Sequence, residues 1–365
     1  MKLNLNKNDF LKLVTLAERS SSKNPTLPIL STILLKVSKN TLGITSTNLE
    51  VGFEAHLSAK TDSFGEVAVP ARPLLQLLTS ISGEELTIES SNHNLVLTSK
   101  NSSTNLKCFP SDDFPVLPKI KKENFFRIPA ETLVEALKNT LVAAAISPVK
   151  PELASIFVFS QNKTPLTFAA TDSFRLAEYK TNIVAEPVSF LLPQKSAQEV
   201  IRIFEESEEE IEVSYNKNQI LFTSQNSSFT SRLTEGNFPD YKNIIPGSFL
   251  TQVVIERAHI LGAVKAASVF SSRLSDVILK VDNKENILEV SAKESDTGEH
   301  HSVAPAKITG EEIEISFNYR YLLDALAVSV EPKVFLGFNG PGKAVLIKGQ
   351  GDNFYLELVM PMRTV

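Results

Sequence analysis

Apolar positions along this chain follow two alternating rhythms. Phe10, Leu13, Val14 and Ala17 recur at i, i+3, i+4 and i+7, and two further sets, Leu133, Leu137 and Leu141, then Ile260, Val264 and Ala267, keep a helical spacing. Each set predicts an amphipathic helix with one buried stripe. A second series of helices is marked by Leu74, Leu77, Leu78 and Ile81, by Ala197, Val200, Ile201 and Phe204, and by Tyr319, Leu322, Leu323 and Leu326. Pro73 suits the first turn of one of them, and Asn318 is placed to cap another. Between and after the helices the period drops to two, which predicts short strands at 87–89, 95–97, 211–213, 220–222, 313–315 and 344–347. Turn residues at 90–94 and 216–218 separate some of them.

The pattern reads helix, strands, helix, strands, three times over. Thr47-Asn48 matches Thr171-Asp172 and Phe114-Pro115 matches Phe238-Pro239, in both cases 124 positions on. Pro70 matches Pro193 after 123 positions, and Pro193 matches Asn318 after 125. Several offsets agreeing in one element order argue against chance. Three units of that length fill the chain, with domains expected at 1–121, 122–246 and 247–365 and Pro-rich connectors at 114–118 and 238–246.

Composition fits this division. The 365 residues suit two or three domains, 42% hydrophobic content supplies a core for each, and 22% charged content does not indicate disorder. With 14 glycines, a Gly-rich cofactor-binding design is not expected. Met1 to Lys7 has no apolar stretch of the kind a secretory signal carries. No apolar run approaches the roughly 18 residues of a membrane span. Cys108 is the single cysteine, so an internal disulfide is ruled out and a reducing, cytosolic compartment is expected. The net charge of −5 argues mildly against nucleic acid as a partner, subject to which face carries which sign.

Enzymatic motifs are incomplete. The run from Gly337 to Ala344 approaches a phosphate-binding loop, but it lacks the closing Ser or Thr and leads into a strand, so a hairpin turn is expected. Gly349-Gln350-Gly351 lacks a third glycine. His300-His301 are adjacent on an expected loop, without metal-ligand spacing. Asp172, Asp240 and Asp324 have no accompanying nucleophile and base. The acidic run Glu205-Glu206-Ser207-Glu208-Glu209-Glu210 reads as a solvated loop.

Five segments resemble one family, the beta subunit of bacterial DNA polymerase III, or beta sliding clamp. They are Pro25-Thr26-Leu27-Pro28-Ile29-Leu30 followed by Thr45 to Glu50, Ala170 to Ala177, Gly236 to Tyr241, Phe317 to Asp324, and Val359-Met360-Pro361-Met362-Arg363. The resemblance runs through the whole chain in order. It implies an α+β fold of three tandem clamp (processivity) domains, each with two helices packed on antiparallel sheets. Two chains are then expected to close head to tail into a homodimeric ring around duplex DNA. It further implies no catalytic site, metal or cofactor. The implied partners are double-stranded DNA, a second copy, a clamp loader, the polymerase III alpha subunit, other polymerases, ligase and mismatch-repair proteins.

Helix geometry agrees with two chains. Six helices at about 10 Å spacing close a hole about 9 Å clear, too narrow for a duplex about 20 Å wide, whereas twelve leave about 28 Å. Basic residues opposite the apolar stripes include Lys12, Arg19, Arg72, Lys138, Lys195, Arg202, Lys265 and Arg320, with the acidic excess expected elsewhere. Loose, screened phosphate contacts suit sliding.

By resemblance, Lys23, Asn24 and Lys150 join Arg72, Lys195 and Arg202 as DNA-contacting candidates. Asn24 stands where a basic residue is usual, and Pro151 and Glu152 stand where aromatics are. The partner-peptide pocket is expected at Leu153, Thr171, Ser173, Phe174, Arg175, Leu176, Pro239, Ile244, Leu358, Met360 and Met362. Ser173-Phe174 replaces a usual Gly-His, and Asn243 a frequent Arg. The plainer reading of Met360 and Met362 is alternation in a C-terminal strand with one face buried. The dimer contact is expected to join Leu106 and Cys108 to Val269 and Phe270. Two other classes remain open: a nucleotide hydrolase using the 337–343 loop, and a monomeric scaffold.

Overall fold

The computed structural model describes residues 1–23, 26–118, 120 and 124–362. Among these residues the elements run in three similar rounds. The first comprises β1 (Lys2–Asn6), α1 (Lys7–Ser20), β2 (Thr32–Ser38), β3 (Thr41–Thr47), β4 (Val51–Ser58), β5 (Lys60–Ser63), β6 (Gly65–Pro70), α2 (Ala71–Ser80), β7 (Glu85–Ser91), β8 (Asn94–Thr98) and β9 (Ser103–Lys107). The second comprises β10 (Asn124–Pro129), α3 (Ala130–Leu141), β11 (Ser155–Ser160), β12 (Pro165–Thr171), β13 (Arg175–Val184), β14 (Val188–Pro193), α4 (Gln194–Phe204), β15 (Glu210–Tyr215), β16 (Gln219–Thr223) and β17 (Ser227–Arg232). The third comprises β18 (Thr251–Glu256), α5 (Arg257–Ser268), β19 (Asp276–Asp282), β20 (Ile287–Glu294), β21 (Gly298–Gly310), β22 (Ile313–Asn318), α6 (Tyr319–Val328), β23 (Lys333–Phe338), β24 (Val345–Gly349) and β25 (Tyr355–Val359).

The helices form where the apolar period places them. In α1, Phe10, Val14 and Ala17 are buried, and the Asn6 side chain accepts from the N–H groups of Asn8 and Asp9 at 2.8 and 3.2 Å. The second helix of each round starts directly after Pro70, Pro193 and Asn318, the positions that the sequence offsets align. Asn318 caps α6 by accepting from the Arg320 N–H at 2.9 Å. Each round opens on a strand, not on a helix as the apolar pattern suggests. These strands are five or six residues long and run into the helix without a turn residue, so no break marks them.

The chain packs as two compact units, residues 1–134 with 198–233, and residues 135–197 with 234–365. The sheets explain why the units do not follow the sequence repeats. In the first unit, one sheet runs β5-β1-β7-β8-β9 and another runs β10-β15-β16-β17-β4-β3-β2-β6. Strand β17 of the second round pairs antiparallel with β4 of the first, from Ser231↔Val51 to Ser227↔Ala55. In the second unit a single sheet runs β14-β11-β12-β13-β25-β24-β23-β18-β21-β20-β19-β22. There β25 of the third round pairs antiparallel with β13 of the second, from Arg175↔Val359 to Tyr179↔Tyr355. Each seam joins the last strand of one round to the strand that follows the Thr-Asn or Thr-Asp turn of the round before it, β4 in one case and β13 in the other.

Two stretches equivalent to the seam strands stay without such a partner among the described residues. β9, which corresponds to β17 and β25, pairs only with β8 among the described strands. β21 pairs with β20 over 298–305 and with β18 over 306–310, where Ala306 to Gly310 face Ile255 to Thr251. The outer side of 298–305 therefore has no strand among the described residues.

Local departures from expectation have simple causes. His300 and His301 lie on β21, not on a loop. Ser90, Ser91 and Asn94 belong to strands, and the turn is confined to Asn92-His93, both with positive φ. The Gly337–Ala344 run forms the β23–β24 hairpin, with Lys343 N–H donating to Gly340 O at 3.2 Å. Gly337 is required there, because a Cβ at that position lies 2.4 Å from the Phe249 ring.

Candidate functional site

The second unit gathers most of the expected peptide-site residues around one turn. Thr171 ends β12, Arg175 opens β13, and the link is built from short polar side chains. Thr171 Oγ1 donates to Arg175 O at 2.6 Å and accepts from the Ser173 N–H at 3.2 Å. Asp172 Oδ1 accepts from the N–H groups of Phe174 and Arg175 at 2.9 and 3.0 Å. This network holds Ser173 at φ 79°, the left-handed region that glycine adopts without steric cost. Phe174 is thereby pushed outward and is 62% exposed.

The C-terminal segment lies beside this turn. Leu176 faces Leu358 across the β13–β25 seam, and both are buried. They form an apolar floor with Phe159, Ala169, Tyr241 and Leu346. Beyond β25 the chain leaves the sheet: Met360 N–H donates to Phe174 O and Met362 N–H to Ser316 O, both at 2.8 Å. The methionines therefore follow the strand and do not alternate within it. Met360 is exposed and Met362 half-buried. Ile244, also exposed, lies three residues after Tyr241, and Phe238, three residues before it, stacks on Phe157 at 5.0 Å. Pro239 is exposed next to Phe238. Leu153 is buried; its neighbour Glu152 lies against Gly236, three residues before Pro239. Phe174, Ile244 and Met360 thus form exposed apolar points over a buried floor, a surface suited to apolar anchors.

Charged groups fix the walls. The Arg175 side chain is mostly buried and spans two carboxylates: Nε is 3.1 Å from Asp172 Oδ2 and Nη1 is 2.6 Å from Asp324 Oδ2. Its guanidinium also sits 4.4 Å from the Tyr321 ring centre. Burial disfavours its charge, but the Asp324 bond and neighbouring carboxylates outweigh that and raise its pKa. Behind it, Glu357 is fully buried and accepts from the Tyr355 hydroxyl at 2.7 Å. Burial pushes the Glu357 carboxyl up to about 8, which Tyr355 and Arg175 only partly oppose. Tyr241 donates to buried Glu178 at 2.5 Å, and burial beside that carboxylate raises its own pKa. Sequence patterning gives no sign of Glu178 or Glu357, because glutamates on short strands read as solvent-facing. Asn243 donates to Asp240 at 3.2 Å and is exposed.

The nucleic-acid candidates divide between the units. In the first, Lys23 and Arg72 line one cleft of about 240 Å³ with Glu18 and three serines, beside the N-terminus of α2, which has no side-chain cap. Asn24 lies outside the described residues. Arg202 is exposed and its Nη1 is 2.8 Å from Glu199, which also holds Arg19 at 2.8 Å. Lys12 pairs with Glu206. The acidic run is thus not segregated from the basic helix faces, because Glu206 reaches back to α1. In the second unit, Lys150 and Lys195 are exposed. Lys150 O accepts from Leu153 and Ala154, and Ala154 O accepts from Gln194, which precedes Lys195.

The dimer candidates sit at the open edges. Leu106 is on β9 and packs with Cys108 against the first unit's core. Burial pushes the Cys108 thiol up to about 11. Val269 is exposed at the end of α5, and Phe270 stacks on His300 of β21 at 6.0 Å.

Three family descriptions match in sequence. They are the DNA polymerase III beta subunit N-terminal domain at residues 1–118, the central domain at 127–240 and the C-terminal domain at 242–363. The chain is 28% identical over 373 residues to the beta sliding clamp of Streptococcus pneumoniae, covering 99% of this chain and 98% of that one. It is 26% identical over 370 residues to that of Staphylococcus aureus, covering 98% and 96%. Among solved structures, a Pseudomonas aeruginosa sliding clamp bound to griselimycin matches at a TM-score of 0.94 and 26% identity. The Bacillus subtilis sliding clamp matches at 0.93 and 26%; each covers 100% of both chains.

Proposed function

Because the chain belongs to the DNA polymerase III beta subunit family, whose members serve replication as non-catalytic sliding clamps, we propose that it works as a head-to-tail homodimeric ring around duplex DNA. The ring tethers polymerases and repair proteins to the template. The observation that carries this reading is the pair of open strand edges, β9 and 298–305 of β21. Two seams of one kind, β17–β4 and β25–β13, are closed within the chain. A third of the same kind needs β9 of one copy against β21 of another. A twofold axis makes that seam twice and leaves none of these edges open. Leu106 and Cys108 then approach Val269 and Phe270 of the second copy.

In this reading the chain divides into clamp domains at 1–121, 122–246 and 247–365. Lys23, Arg72, Lys150, Lys195 and Arg202 supply screened phosphate contacts, with Asn24 beside Lys23. Pairing of Arg202 and Arg19 with Glu199 tempers that charge and keeps contact loose enough for sliding. Partners dock by a short peptide whose apolar anchors meet Phe174, Ile244, Met360 and Met362 over Leu176 and Leu358. Thr171, Ser173, Arg175, Pro239 and Leu153 shape the rim. A clamp loader, the alpha subunit, other polymerases, ligase and mismatch-repair proteins share that site, in the cytoplasm.

The peptide reading is tested by deleting residues 361–365 and titrating a labelled peptide with leucine and phenylalanine anchors. Binding is lost while the dimer remains. Unchanged peptide affinity in the truncated chain contradicts the assignment.

A further inference from the structure

We propose that the first unit carries a second docking groove, built by the 47–52 turn and the 115–118 connector, for a short extended peptide with one apolar anchor and one carboxylate. The proposal rests on reading the second unit's turn surface as a peptide site.

The two places are built alike. Thr47 Oγ1 donates to Val51 O at 2.7 Å and accepts from the Leu49 N–H at 3.0 Å, while Asn48 Oδ1 accepts from the N–H groups of Glu50 and Val51, each at 2.9 Å. These are the bonds of Thr171 and Asp172, moved by 124 positions. β17 joins β4 as β25 joins β13. Between turn, seam and connector lies a cleft of about 260 Å³, edged by Leu49, Val116, Leu117, Thr230 and Arg232. Leu49 is 50% and Val116 92% exposed.

The floor and rim differ in ways that set the ligand. Gly52 occupies the place of Leu176, and a Cβ on it lies 2.7 Å from Leu117 Cδ2. The connector's own leucine therefore rests on the bare glycine backbone, so the floor accepts a branched apolar side chain. The remaining volume suits one further anchor, not a drug-sized ligand. At the rim Arg232 is exposed and forms no ion pair among the described residues, and its N–H donates to Glu50 O at 2.9 Å, which fixes it beside the turn. In the second unit Met360 stands where Arg232 does, and the guanidinium nearest that turn, Arg175 at the place of Val51, already holds Asp172 and Asp324. A guanidinium without an ion pair among the described residues selects a carboxylate, and Glu50 disfavours more than one.

The test titrates the full chain with a fluorescein-labelled peptide of sequence Glu-Leu-Val-Leu-Phe, read by anisotropy. Two saturable steps are expected. Met360→Lys removes one and leaves the other. Arg232→Glu weakens that other step by about fivefold or more, the worth of one rim ion pair. Replacing the probe's glutamate by glutamine weakens it similarly in the natural chain and has no further effect in Arg232→Gln. A single step that Met360→Lys abolishes overturns this proposal and leaves the second-unit reading standing. A single step that only Arg232→Glu weakens overturns the second-unit reading instead. Two steps that are both indifferent to Arg232 overturn the proposal.

Discussion

Ser173 repeats the backbone of Leu49: φ is 79° at one and 73° at the other, 124 positions apart. In both, a threonine two residues earlier and an Asn or Asp one residue earlier hold the turn by side-chain bonds. L-residues pay roughly 1 kcal/mol to stand there, and glycine does not.

Ser173→Gly is therefore expected to raise stability by up to about 1 kcal/mol, offset in part by the greater freedom of glycine in the unfolded chain. Leu49→Gly acts in the same direction. Urea unfolding of each variant reads the change. A loss of stability in both contradicts the account of the turn.

The buried Glu357 carboxyl gives a pH signature. Its folded pKa, about 8, lies above the ordinary value of 4.5 because burial favours the neutral form. The folded state holds the proton more tightly, so this group's contribution is intact below about 4.5, falls as pH rises toward 8, and is flat above. The slope reaches at most about 1.4 kcal/mol per pH unit. Glu357→Gln, which keeps an acceptor for the Tyr355 hydroxyl, is expected to lack this fall and to exceed the natural chain in stability at pH 9. Parallel stability–pH curves for the two proteins refute the assignment.

Val303 lies half exposed on the open stretch of β21. A charge there opposes strand addition from a second copy. Val303→Glu is predicted to weaken self-association at least about tenfold and to yield a 40.2 kDa species in sedimentation. Association unchanged by the charge shows that the seam lies elsewhere.

Much of the fold is legible in the apolar pattern, because the α-helices among the described residues each bury a stripe and the offsets at Pro70, Pro193 and Asn318 mark helix starts. Strands β1, β10 and β18 escape it, since each flows into a helix without a punctuating turn. The seams escape it too: nothing in Phe229 or Leu358 says which strand will lie alongside. The pairing of Lys12 with Glu206 and of Arg19 with Glu199 joins residues far apart in sequence, so charge clusters read along the chain misplace the acidic run. The peptide surface is legible only through the resemblance. Buried Glu178 and Glu357, and the place of the Arg232 guanidinium beside the 47–52 turn, emerge only once the strands are paired.

Two chains of this protein are proposed to enclose DNA without gripping it. The most direct measurement loads the protein onto nicked circular DNA, then linearises the circle and follows what stays bound. Lasting retention on the circle and rapid loss from the free ends of the linear form are expected. Equal retention on both forms would contradict encirclement.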